Sequence, residues 1–130
     1  MDRMTERLDM ANKAQAKLFA ALETDALPPV ERRDVCILRF VYSFEATWKA
    51  AQAVLRDRHG VIANTPRAAI RACVTAGILV EPTGEAVLRM VEDRKLASRT
   101  YNEELAEALN ARLPTHAAAL RGWLAGLKAA

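Results

Sequence analysis

Apolar residues recur every three or four positions along this chain, and no stretch alternates with period two for long. That spacing places one face of a helix against a core. Leu8, Ala11, Leu18, Phe19 and Leu22 form the first stripe, over roughly residues 2–23, with Gln15 as a polar interruption. Leu27-Pro28-Pro29 stops it, because proline lacks an N–H and restricts the residue before it. A second, longer stripe runs from near Val30 to His59 through Ile37, Val41, Phe44, Trp48, Ala51 and Leu55, with Gly60 as its stop. Thr65 and Pro66 have the chemistry of a cap and a first helical residue. They predict a third helix with Ala69, Ile70, Cys73 and Ile78 on its apolar face, ending near Gly77.

Pro82-Thr83-Gly84 predicts a turn before a fourth helix that carries Val87, Leu88, Met90, Val91 and Leu96. A fifth helix is expected from Tyr101 to Arg112. Pro114 should break it, leaving Leu120, Trp123, Leu124 and Leu127 on a last helix. With such short connections, neighbouring helices should lie antiparallel. The expectation is an all-α, up-and-down bundle with a four-helix core plus short helices, formed by residues 1–130 as one domain.

Composition supports helices and narrows the function. Alanine and leucine dominate a chain that is 52% hydrophobic and only 5% aromatic, which disfavours a sheet. A net charge of +3 permits contact with phosphate without demanding it. Cys36 and Cys73 have no metal-ligand spacing and sit in apolar helical patterns, so they read as buried thiols in a reducing compartment. No apolar run approaches a membrane span, and Met1 to Leu8 lack a signal-peptide core. A soluble, cytoplasmic protein that touches no membrane is expected. Nothing suggests a metal site, a cofactor, a Gly-rich phosphate loop or a Ser-His-Asp set.

Two stretches carry more information. Arg33-Asp34, Arg39-Phe40, Phe44-Glu45 and Trp48-Lys49 share the long second helix, followed by Thr65 to Arg71 and Ala76 to Leu79. Further on comes Glu92 to Glu103, which contains Arg94, Lys95, Arg99 and Tyr101. In this order and at these separations, the segments resemble the nucleotidyltransferase substrate-binding family over nearly the whole chain. Its second stretch is Arg-Asn-x-x-x-His-x-Tyr. The resemblance implies a HEPN-type bundle that forms a homodimer and pairs with a separately encoded minimal nucleotidyltransferase in bacteria. Some family members are toxins that cut RNA without a metal. In those, the partner silences the toxin by adding AMP to the motif tyrosine, which corresponds to Tyr101. This chain is not itself the nucleotidyltransferase, because it lacks the Gly-Ser and paired aspartates of that catalytic core.

The chain departs from the family pattern where the chemistry lies. Lys95 stands for the motif asparagine, Arg99 for the motif histidine, Val41 for a glutamate and Val87 for a tryptophan. Metal-free RNA cleavage needs a group that takes the 2′-hydroxyl proton. Histidine, with a pKa near ~6.5, does this; arginine, above ~12, does not. Arg94 can still fork a phosphate, and Arg99 adds a second fixed charge. His59 and His116 read as structural or solvent-facing rather than as replacements.

The expected site is therefore a binding site: Arg94, Lys95, Arg99 and Tyr101, joined by Arg39 lining the groove between subunits and facing the motif, with Tyr101 the candidate AMP acceptor. If the helix is continuous, Arg94 and Tyr101 share a face and Arg99 points elsewhere. If it breaks near Ser98, with Ser98 capping the next helix, all three converge. The plain alternative for these residues is a solvated basic surface beside Glu92, Asp93, Glu103 and Glu104. Phe40, Phe44 and Trp48 read as core or dimer packing, Trp123 as a cap on the core, and Glu45 with Lys49 as an i, i+4 ion pair. Two rival functions remain at this stage. One is an active RNA-cutting toxin with Arg94 as a catalytic cation and Tyr101, Lys95 or a partner group as base. The other is a helical scaffold with a decayed site.

Overall fold

The computed structural model describes residues 2–130 and contains only helices among them. They are α1 (Arg3–Glu23), α2 (Pro29–His59), α3 (Pro66–Thr75), α4 (Glu81–Leu96), a 3-10 turn (Ala97–Arg99) and α5 (Glu103–Ala129).

Local chemistry starts and stops these elements. Asp2 caps α1 by accepting from the Thr5 amide at 2.7 Å. α2 begins on Pro29 without a side-chain cap. It ends where Gly60 turns left-handed at φ 65°, and Arg56, Arg58 and His59 face the negative end of its dipole. Thr65 caps α3 through the Ala68 amide at 3.1 Å, with Pro66 at the first position. Gly77, at φ 76°, makes the turn into α4.

Two expected breaks are absent, both for reasons of position. Pro82, Thr83 and Gly84 lie inside the first turn of α4 rather than before it. Proline is tolerated there because that turn's amides have no helical partners. Gly84 is buried because it packs against the Val74 side chain. Pro114 does not divide the last helix either; α5 runs through it. The missing N–H lies on an exposed face, where water can satisfy the orphaned Asn110 carbonyl. On the opposite face, Leu109, Leu113, His116, Ala117 and Leu120 are all buried. Their burial, at ~1.5–3 kcal/mol for a large side chain, outweighs the ~3 kcal/mol proline penalty.

α1, α2, α4 and α5 form the four-helix core, and α3 packs beside α2 and α4. α1 lies antiparallel to α2, as pairings from Lys17 with Arg39 and from Ala14 with Ser43 require. α5 is antiparallel to both α1 and α4: Asn12 meets Lys128, Gln15 meets Leu120, and Asp93 meets Arg112. Phe40, Phe44, Leu18, Met90, Leu109 and Trp123 fill the centre, each no more than 1% exposed. Gln15, the polar interruption in the first stripe, is buried and satisfied. Its Nε2 donates to Thr47 Oγ1 at 3.0 Å and to the Leu120 carbonyl at 2.9 Å, tying three helices together. Both cysteines are free and buried, and burial pushes each thiol above its ordinary pKa.

Two glycines of α5 should respond oppositely to alanine. Gly126 lies against the backbone carbonyl of Ile78, so a methyl group there collides with an atom that cannot swing away. Gly126→Ala should destabilise by about 1–3 kcal/mol, despite the ~1 kcal/mol that alanine gains in a helix. At Gly122 the nearest atom is the Thr83 methyl at 3.8 Å, an ordinary contact. Gly122→Ala should stabilise by about 0.5–1 kcal/mol. Urea midpoints of the two variants check this contrast, and a shared sign would contradict it.

Candidate functional site

The helix that carries Arg94 breaks directly after Leu96, and the chain makes a 3-10 turn and a bend before Asn102 caps α5. Ser98 does not cap a helix; its hydroxyl donates to the Lys95 carbonyl at 2.9 Å. The break places Arg94, Lys95 and Arg99 around one open hollow of about 440 Å³, together with Glu92, Leu96 and Ser98. Tyr101 is not among them. It stands outside, 86% exposed, at the tip of the turn. The structure thus follows neither sequence alternative in full: Arg94 and Arg99 converge, while the tyrosine faces solvent.

Arg94 is positioned by a carboxylate. Its Nε donates to Glu45 Oε1 at 2.9 Å, and the other oxygen, Oε2, accepts from Trp48 Nε1 at 3.2 Å. Glu45 therefore pairs across to α4, not with Lys49; the Lys49 ammonium lies over the Trp48 ring at 5.4 Å. The expected i, i+4 pair gives way because Arg94 offers a planar donor at a fixed place. Arg94 retains both terminal nitrogens without a protein partner among the described residues. Lys95 is weakly held by Glu92 at 3.5 Å, and the same carboxylate binds Arg67. Arg99 is exposed and makes no ion pair among the described residues. Cations outnumber carboxylates around the hollow, so it suits an anion. Arg94 and Lys95 also sit in the last turn of α4, where positive charge offsets the helix dipole.

Arg39 does not join this group. It lies on the α1 side of α2, and its Nη1 donates to the Lys17 carbonyl at 2.9 Å. No histidine enters the hollow among the described residues. His59 is exposed at the end of α2, and His116 is buried in the core, stacked on Phe40 with ring centroids 5.3 Å apart. Phe40, Phe44, Trp48 and Trp123 are core residues, as their spacing implied.

Sequence reasoning missed what holds this corner in place. Asp93 is buried and turns away from Arg94, toward α5. It accepts from Arg112 Nε and Nη2 at 2.7 and 2.8 Å and meets His116 Nε2 at 2.6 Å. Burial raises its pKa, but the hydrogen bonds and charges of Arg112 and His116 more than reverse this and hold it below the ordinary value. On the far side of the turn, buried Arg33 donates to Glu103 at 2.6 Å and to Glu107 at 2.8 Å. These bonds keep the guanidinium charged and lower the Glu103 pKa. Adjacent Asp and Arg at 93–94 necessarily point about 100° apart on a helix, which was the available signal that they have different partners. No group of three or more His, Cys, Asp or Glu side chains able to ligate a metal occurs among the described residues, and no described helix is long and apolar enough to cross a membrane.

This is an all-helical, antiparallel bundle with a basic turn between its last two long helices. The family model described as "nucleotidyltransferase substrate binding protein like" matches residues 6–129, and the chain belongs to that family. Among solved structures, a protein from Thermus thermophilus shares 41% identity over 92% of this chain and 99% of its own, with a TM-score of 0.84. The tri-AMPylated HEPN toxin of Shewanella oneidensis, solved in complex with an MNT antitoxin, shares 15% identity over 100% of both chains, with a TM-score of 0.78. A mutant MntA-HpeT toxin–antitoxin structure is similar at 15% identity, covering 98% of each chain with a TM-score of 0.77. At that identity, the last two likenesses concern the fold. No curated protein matches the chain.

Proposed function

We propose that this chain is the HEPN-type partner subunit of a minimal nucleotidyltransferase. In this reading it is a homodimer that holds a phosphate or nucleotide at Arg94 and Arg99 and offers Tyr101 as an AMP acceptor. Its RNase motif is degenerate. The observation that carries the reading is the state of Arg94. Glu45 takes only its Nε, which leaves the terminal nitrogens to fork a phosphate beside Arg99, in a hollow with no proton acceptor of histidine's kind. Lys95 and Arg99 supply electrostatic attraction for the anion.

The position of Tyr101 supports the acceptor role, since an exposed hydroxyl at a turn can enter another enzyme's active site. In that transfer the tyrosyl oxygen attacks the α-phosphorus of ATP held by the nucleotidyltransferase. A phosphodiester bond forms, pyrophosphate leaves, and the hydroxyl proton passes to a base on that enzyme.

Incubation with ATP, magnesium and the minimal nucleotidyltransferase of the same genome tests this by intact mass. The expected result is at least one adenylyl group, absent from Tyr101→Phe. Nucleotide binding by Arg94→Ala should weaken about tenfold, the scale of one lost charge-assisted pair. Absence of both complex formation and adenylylation would refute the reading. Efficient RNA cleavage in chelator, lost in Arg94→Ala, would establish the toxin instead.

A further inference from the structure

A second basic feature lies away from the Arg94 hollow. Between α1 and α2 runs a groove in two connected parts, of about 330 and 160 Å³, which share Ala14 and Tyr42. Its floor is apolar: Met10, Ala14, Tyr42 and Ala46. Met10 is 56% exposed and Tyr42 58%, so the described residues leave an apolar strip uncovered here. Cations stand at both ends, Arg7 and Lys49 at one and Lys17 and Arg39 at the other. None of these four has a carboxylate partner among the described residues. Glu45, the acidic residue in the wall, is already committed to Arg94.

We infer that this groove docks an acidic amphipathic helix of a protein partner. From Arg7 to Lys17 the groove extends ~15 Å, between two and three turns of helix. A helix of that length sets apolar side chains at i, i+3 and i+7 on the floor. Its flanking carboxylates then reach the two cationic ends. Charge complementarity selects this occupant. A second copy of the chain placed groove to groove would set these cations against one another across the two-fold axis. Single-stranded nucleic acid would find phosphate partners at the ends, but between them only one aromatic ring on a floor of aliphatic groups. The inference goes beyond the reading of the Arg94 hollow and does not depend on it.

The test uses the full chain and a fluorescent helical peptide with leucines at i, i+3 and i+7 flanked by glutamates. Anisotropy at low salt should report binding that weakens as salt is raised. The double variant Lys17→Glu with Lys49→Glu, checked for native helicity, should lose at least about tenfold in affinity. It should regain binding to the same peptide with lysines in place of the glutamates. Failure of the wild type to bind, or equal binding by the double variant, overturns the inference. A stronger, variant-sensitive affinity for a single-stranded oligonucleotide overturns it in favour of nucleic acid. Self-association abolished by Tyr42→Glu overturns it in favour of a second copy.

Discussion

Asp93→Asn should destabilise the protein by about 2–4 kcal/mol at neutral pH, although the substitution removes no volume. The carboxylate is 7% exposed and receives donors from two α5 residues, Arg112 and His116. An amide keeps one acceptor oxygen, and its N–H₂ replaces the other, which accepts from Arg112 in either orientation. One of the two Arg112 bonds is therefore lost to donor–donor repulsion, and the guanidinium loses its counter-charge. The sign of the pH dependence follows from the direction of the shift. The folded-state pKa of Asp93 lies below the ordinary 3.8, so its contribution is complete above that value and drains away as pH falls through the folded value. The stability difference between wild type and Asp93→Asn should accordingly narrow in acid. Urea titrations at neutral pH and below pH ~4 measure it. A variant as stable as wild type at neutral pH would mean the three groups do not act as a unit.

Trp123→Ala should cost more, about 3–5 kcal/mol, the range for truncating a fully buried large aromatic. Trp123 is 0% exposed, and its indole N–H points at the Cys73 sulfur at 3.5 Å, joining α5 to α3. α3 has only ten residues, too few to be stable alone, so it depends on such contacts. Loss of the indole should loosen α3 before the rest of the bundle. Hydrogen exchange should rise in residues 66–75 beyond the change at α1. Uniform loosening, or a cost below ~1 kcal/mol, would show that α3 is held by other means.

The two prolines explain how far the fold could be read in advance. The helical stripes, the Thr65 cap and the glycine stops were legible because each is a local property of a few adjacent residues. Pro82 and Pro114 misled because their effect depends on where the missing amide falls, in a first turn or on an exposed face, and that is set by packing. The site divides in the same way. Arg94, Lys95 and Arg99, which motif spacing singled out, line one hollow. Within one chain Arg39 turns to α1, a choice its place beside an apolar stripe left open between two neighbouring helices. The partners that fix the corner, Glu45 for Arg94 and Arg112 with His116 for Asp93, come from helices 19 to 49 residues away, and no local pattern links them.

The turn that displays Tyr101 is bolted down on both flanks, by Asp93 on Arg112 and by Arg33 on Glu103. Its tip projects while its base stays rigid. A bulky acidic substituent attached there would change what the surface presents to its surroundings and leave the melting temperature nearly untouched.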